Sequence, residues 1–179
     1  MGDHEDPFQA ALIASLPRLR RYATALAGSA GAADDLVQDC IERALRRSET
    51  LRDPQRIGGW LRSILHNLHM DELRRGRNLA NGVEISDLEN RLSSPQVDRA
   101  VSIDFVKGFD TLSVEHKQIL LLVGLEGLNY REIGEELNIP IGTVMSRLAR
   151  ARERLRDALE RETKPASVTQ LDSVRRAKR

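Results

Sequence analysis

The chain is poor in the residues on which several large classes of protein depend. Among its 179 residues there is one cysteine, Cys40, which excludes an internal disulfide framework and points to a reducing compartment. It has no long apolar run and no signal-peptide pattern, so neither a membrane span nor export is expected, and the reading is a cytoplasmic protein. It also has no glycine-rich phosphate loop and no Gly-x-Ser-x-Gly nucleophile motif, so neither catalytic residues nor a cofactor are expected. Aromatic residues are scarce. One Trp, two Tyr and three Phe leave the cores to Leu, Ile, Val and Ala, which favours helices over a β-sandwich.

What is there is charge, unevenly placed. The net charge of +1 hides an acidic middle and a basic end: residues 78–139 hold five Lys/Arg against 11 Asp/Glu, and residues 140–179 hold 11 against five. A basic C-terminal part suggests a polyanion partner there, although a solvated helix followed by a basic tail would give the same count.

Helical periodicity appears over residues 7–27, with Leu12, Leu16, Leu19, Ala23 and Leu26 as the apolar positions, and Gly28-Ser29-Ala30-Gly31 breaks it. A second helix starts near Asp34, with Leu36, Val37, Cys40, Ile41 and Ala44 on one stripe. A third covers about residues 60–75, with Trp60, Leu61, Ile64, Leu65 and Leu68 inward. The composition then turns polar, and the helical pattern returns from Val97. Ser113 caps a helix containing Ile119, Leu122 and Leu125, followed by helical patterns over residues 130–137 and 142–159. The fold class is all-α: two small helical domains joined by a flexible linker.

Two short helices around Asn138-Ile139-Pro140, the second rich in arginine, form a helix-turn-helix pattern. Ile133 and Leu137 are placed to pack on Val144 and Leu148, and Gly134 allows the helices to approach. At about 100° per residue Val144, Leu148, Ala151, Leu155 and Leu159 share an arc of roughly 80°. Ser146 lies opposite, flanked by Met145, Ala149 and Arg150, with Arg147 at the boundary. A hydroxyl, a thioether, a methyl and forked cations suit a major groove. Arg152, Arg154 and Arg156 fit phosphates or simple solvation.

In the second helix Asp35, Asp39, Glu42 and Arg46 share an arc of about 60° opposite the stripe, either a solvated face or a docking face for a basic partner. In the third, Asn67 is placed outward, Arg74 and Arg75 close the helix, and Asp71 pairs with Arg75. His66 and His69 have a spacing that can hold a metal, but no third ligand completes it, so two partly exposed histidines near DNA are the preferred reading and no metal site is expected. Glu132, Glu135 and Glu136 read as helix surface, and Cys40 as core.

Three stretches occur in a telling order: Asp-Asp-Leu-Val-Gln-Asp at 34–39, Gly-Trp-Leu-Arg-Ser-Ile-Leu-His-Asn-Leu-His-Met-Asp-Glu-Leu-Arg-Arg at 59–75, and Gly-Thr-Val-Met-Ser-Arg-Leu-Ala-Arg-Ala-Arg-Glu-Arg-Leu at 142–155. Over residues 8–160 the chain resembles the bacterial sigma factors of the extracytoplasmic-function group. The resemblance implies a sigma-2-like domain at 8–77, a linker at 78–96, a sigma-4-like helix-turn-helix domain at 97–160 and a flexible tail at 161–179. It implies that Asp35, Gln38 and Asp39, with Glu42 on the same face, dock on core RNA polymerase. Asn67, Arg74 and Arg75 would act at the minus-ten promoter element. Thr143, Met145, Ser146, Arg147, Ala149 and Arg150 would act at the minus-thirty-five element. An anti-sigma factor is the further partner it implies. Met145 stands where the family usually has a basic residue, and His66 where a small or basic one often precedes the asparagine. The rival reading is a sigma mimic that binds a regulator without recognising promoters; a plain helix-turn-helix repressor leaves the 34–39 and 59–75 stretches without a purpose.

Overall fold

The computed structural model describes residues 6–79 and 99–163, and every element among them is helical. Helix α1 (Pro7–Ala27) starts where the Asp6 carboxylate accepts from the Phe8 N–H at 3.1 Å, with a proline in the first turn. It stops at Gly28, whose φ of 84° is open to glycine. Helix α2 (Ala30–Arg46) follows at once, because the Ser29 hydroxyl accepts from the Ala32 N–H at 3.3 Å. The break is therefore two residues, not four, and the helix begins earlier than residue 34. Asp34 then lies beyond the first turn, and it pairs instead with Arg20 of α1 at 2.7 Å.

After two single 3-10 turns, the second held by Asp53 accepting from the Gln55 N–H at 2.9 Å, the chain runs straight into α3 (Ile57–Leu79). This helix is longer at both ends than residues 60–75, and it takes up residues 78 and 79 of the expected linker. The remainder of that linker lies outside the described residues. Tyr22, Leu26, Leu36, Cys40, Leu61 and Leu65 are fully buried where the three helices meet. The Cys40 thiol donates to the Leu61 carbonyl at 3.4 Å, which fixes the register of α2 on α3.

The second half is α4 (Arg99–Asp110), α5 (Val114–Gly124), α6 (Tyr130–Leu137) and α7 (Ile141–Thr163). Ser113 caps α5, accepting from the His116 N–H at 3.4 Å. Long α7 packs on each of the other three. Its last turn reaches residue 163, past the expected start of the tail at 161; the rest of the tail is outside the described residues.

The halves touch through α1 on α5 and α3 on α6. At the centre Arg62 of α3 donates through Nε and Nη2 to both oxygens of Glu136 at 2.9 and 2.6 Å, and through Nη1 to Glu126 at 2.6 Å. Only 13% of the Arg62 side chain, 13% of Glu136 and 2% of Glu126 remain exposed, so this is a buried charge cluster and not a surface pair. Burial pulls the Arg62 pKa down, but Glu136 and then Glu126 outweigh it, and the pKa ends above its ordinary value. Burial, then the Glu136 carboxylate, push the pKa of the nearby Tyr22 hydroxyl up. Glu136 is thus an interdomain residue and not helix surface. Gly59 makes room for it: a Cβ there would fall 2.9 Å from Glu136 Oε2.

Burial pushes the Cys40 thiol up to about 12, leaving almost no thiolate at neutral pH. Native protein should therefore label with a thiol reagent at least about a hundred-fold more slowly than free cysteine, and fully once denatured. Rapid stoichiometric labelling of the folded chain would contradict this placement.

Candidate nucleic-acid and protein interfaces

The helix-turn-helix is built from local chemistry. Asn129 Oδ1 accepts from the N–H groups of Arg131 and Glu132, both at 3.0 Å, while Glu132 Oε2 accepts from the Asn129 N–H at 2.8 Å, a complete capping box for α6. The helix ends at Asn138, the one non-glycine residue with positive φ (52°) among those described. The Ile139 N–H then bonds the Gly134 carbonyl at 3.0 Å. A Cβ at Gly134 would stand 3.0 Å from the Ile139 carbonyl oxygen, so a side chain there would require the turn backbone to shift. The Pro140 carbonyl accepts the first α7 bonds, from Thr143 and Val144 at 2.8 and 3.1 Å.

This turn fixes the roll of α7. Ile133, Val144, Leu148 and Ala151 are buried, with Leu137, Leu155 and Leu159 half-buried beside them. Met145, Ser146, Ala149 and Arg150 are exposed, and Thr143 and Arg147 half-buried, so the proposed readers share one open side of the helix. The Ser146 hydroxyl donates to the Thr143 carbonyl at 3.1 Å, leaving its lone pairs outward. Ile141 (53% exposed) sits at the head of the same surface, beside Met145 (54%). The arginine-rich pattern beginning at residue 142 does not include it.

On α2, Asp35, Gln38, Asp39 and Glu42 are all exposed, and Glu42 pairs with Arg46 at 3.3 Å. Glu72 of α3 joins this face: burial first, then Asp39 and Asp35, raise its carboxyl pKa above the ordinary value. Nothing in the sequence pattern placed Glu72 there, since it depends on how α3 lies along α2. Asn67, Arg74 and Arg75 are exposed on α3. The Asp71 carboxylate pairs with Arg74 at 3.5 Å, whereas Arg75 donates to the Asp71 backbone carbonyl at 3.3 Å, so the expected Asp71–Arg75 ion pair is replaced by its neighbour.

Of the two histidines of α3, only His69 differs from the expected partial exposure. His69 is 9% exposed, and His66 is half-buried. Both lie where charges of α5 reach them: Glu115 opposes the burial effect on His66, while Lys117 adds to it on His69. His69 is therefore an interior residue and not part of an outward face, while His66 keeps part of its surface open. No group of three metal-ligating side chains occurs among the described residues, and no described helix is long and apolar enough to cross a membrane.

An acidic face on one helical domain, a basic recognition helix on the other and an outward asparagine helix between them define a two-domain factor of the sigma type. Comparison with known proteins agrees. Residues 12–66 match the family model for the sigma2 domain of PhyR, and residues 107–155 match that for sigma-70 region 4. The ECF RNA polymerase sigma factor EcfG of Rhodopseudomonas palustris is 32% identical over 145 residues, 80% of each chain. The ECF RNA polymerase sigma factor SigL of Mycobacterium tuberculosis is 32% identical over 146 residues, 79% of this chain and 82% of the relative. The sigma factor RpoE of Bartonella quintana, solved in complex with the anti-sigma factor NepR, aligns with a TM-score of 0.72 at 30% identity, covering 86% of this chain and 96% of that one. The chain belongs to the ECF RNA polymerase sigma factors.

Burial, then Lys117 and His66, lower the His69 pKa from 6.5 to about 4, so the folded chain holds this imidazole neutral. The unfolded chain takes up the proton near 6.5 and the folded chain only near 4, so stability falls as pH drops through that window. The expected loss is about 2 kcal/mol between pH 7 and pH 5. Urea denaturation at the two pH values measures it, and His69→Gln should remove most of the difference. An unchanged pH dependence in that variant would show that other groups carry it.

Proposed function

We propose that this sigma factor docks on core RNA polymerase through Asp35, Gln38, Asp39 and Glu42 of α2, helps to open the minus-ten element with Asn67, Arg74 and Arg75, and holds the minus-thirty-five element with the exposed side of α7. The observation that carries this reading is the pairing, in one chain, of an acidic face free of interdomain contact with a recognition helix whose Met145, Ser146, Ala149 and Arg150 are all exposed. The domains run over residues 8–77 and 97–160, with the segment between them as the tether. Arg150 supplies a base-edge or phosphate contact, Arg147 and Thr143 phosphate contacts, and Met145 and Ala149 apolar contact with thymine methyls. The chain makes and breaks no bond itself; it supplies recognition to an enzyme. It works in the cytoplasm, where its polymerase and DNA are.

An anti-sigma factor is its negative regulator, supported by the family and by the NepR complex of the Bartonella quintana relative. A pull-down from unstressed cells should recover a small regulator with this chain; repeated recovery of polymerase alone would overturn that part.

Run-off transcription with purified core polymerase on a promoter library tests the main reading. Specific transcripts are expected, reduced roughly 5- to 100-fold by Arg150→Ala, as for loss of one good base contact. Asp39→Ala should weaken all promoters alike, by several-fold, as for one charge at the edge of an interface. Folded protein that yields no transcript but binds a regulator tightly would establish the mimic instead.

A further inference from the structure

The exposed side of α7 divides into two rows. Residues four apart in a helix lie one above the other, drifting by about 40° per step. Ile141, Met145 and Ala149 form an apolar row, and Gly142, Ser146 and Arg150 form a polar row beside it; all six are exposed. At about 100° per residue Ile141 stands level with the half-buried Leu159 at the rim of the core arc, and each step carries the apolar row further toward the open side. From Ile141 to Ala149 the row covers about 12 Å, the rise of three to four base pairs. The next position in it is the charged, exposed Glu153.

Packing does not account for Ile141 and Met145. Leu137 and Ile139, next to the turn, are held against the core, as is Leu155 further along α7, whereas Ile141 and Met145 keep 53% and 54% of their surface in solvent. Large apolar side chains left outward in adjacent turns, and not singly, mark a contact surface. Both stand in the leading turns of the helix, and the N-terminal residues of a recognition helix are the ones that meet base edges. The apolar group that the major groove presents there is the C5 methyl of a pyrimidine. Cβ atoms four residues apart on a helix are about 6 Å from each other, which leaves a methyl group room to touch both side chains at about 4 Å. We propose that Ile141 and Met145 grip one such methyl, so that Ile141 is a specificity-determining residue and the factor selects a 5-methyl pyrimidine at one position of the minus-thirty-five element. This rests on the promoter-reading assignment above and deepens it.

The target of the pair is the methyl and not the base. Ile141 has no polar side-chain atom and Met145 only a weakly accepting sulfur, so the pair hardly senses the O4 of thymine or the N4 amino group of cytosine. Thymine and 5-methylcytosine satisfy it; uracil and unmodified cytosine do not. The hydrogen-bonding groups stand in the other row, on Ser146 and Arg150, and read the edges of neighbouring pairs. Burying one methyl group between two apolar side chains is worth about four-fold in affinity.

Holoenzyme made from the full chain and core polymerase is titrated against duplexes carrying the best element recovered from a promoter library. Each thymine of the minus-thirty-five element, on either strand, is replaced in turn by deoxyuridine, which removes the methyl and nothing else. One replacement is expected to weaken binding about four-fold. At that position 5-methylcytosine should bind about four-fold more tightly than cytosine, each paired with guanine. In Ile141→Ala both ratios should fall toward one while binding to the deoxyuridine duplex hardly changes, and Ile141→Val should keep most of the discrimination. The Ile141 side chain lies outside the core, so both variants should fold with unchanged helix content.

Equal binding of every thymine and deoxyuridine duplex, with Arg150→Ala still weakening all of them, would overturn the methyl-reading pair and leave the promoter reading standing. So would a selected element made of G·C pairs alone, whose unmodified duplex carries no methyl. Discrimination that survives intact in Ile141→Ala would give the methyl to another residue and remove Ile141 from the interface. Binding that no form shows to be sequence-selective, and that Arg150→Ala does not change, would sink the promoter reading and the pair with it.

Discussion

A guanidinium keeps its proton at any pH a cell reaches, so burying one commits its surroundings to supplying carboxylates. Arg62 is that commitment in this protein. It lies on the helix that also carries the outward asparagine, and its partners belong to the other domain, 64 and 74 residues away along the chain. Because the guanidinium bonds both oxygens of Glu136 as well as Glu126, the approach of α6 to α3 is fixed by hydrogen-bond geometry. The small residue at position 59 goes with that approach, since a Cβ there would fall 2.9 Å from Glu136 Oε2.

The remaining charges divide by what they neighbour. Arg20–Asp34, Arg46–Glu42 and Arg131–Glu135 are exposed pairs, each worth well under about 1 kcal/mol in water. Their value is solubility and spacing. The carboxylates of α2 differ because the exposed Glu72 of α3 adds its charge to theirs, which concentrates negative potential on one side of the domain. On α7 the arginines have no such crowd of acids on the recognition side. The acidic and basic surfaces therefore lie on separate domains, so partners of opposite charge can be met by one chain without competing for the same surface.

Much of this was legible in the sequence, for a local reason. Stripes such as Leu36, Cys40, Ala44 and Val144, Leu148, Ala151 repeat at helical spacing, so helix type and buried face follow from residues within a few turns of one another. The same holds for the turn at Asn138 and for the exposed positions of α7. Helix ends were read less well where a cap was overlooked: Ser29 starts α2 before the first stripe residue, and Asp53 starts the turn that runs into α3. What stayed hidden depends on packing between distant segments. Arg62 is one more arginine in an arginine-rich helix until Glu136 is brought to it. His69 reads as partly exposed until the packing around α3 buries it, and Glu72 is not seen to share a face with Asp39 and Asp35 until α3 is laid along α2. No period in the sequence encodes those meetings.

The choice of charge for the interdomain contact has a physical logic. An apolar interface gains free energy in proportion to its area. A buried ion pair costs nearly as much in desolvation as it returns in attraction, and its members are well solvated once apart. Such a contact fixes a geometry strongly while adding little net stability. The bidentate fork at 2.6 to 2.9 Å supplies the geometry, and the glutamates, one on α6 and one on the turn after α5, are charged groups that water solvates well. The contact between the two halves is thus held by directed hydrogen bonds between charged groups and not by apolar area.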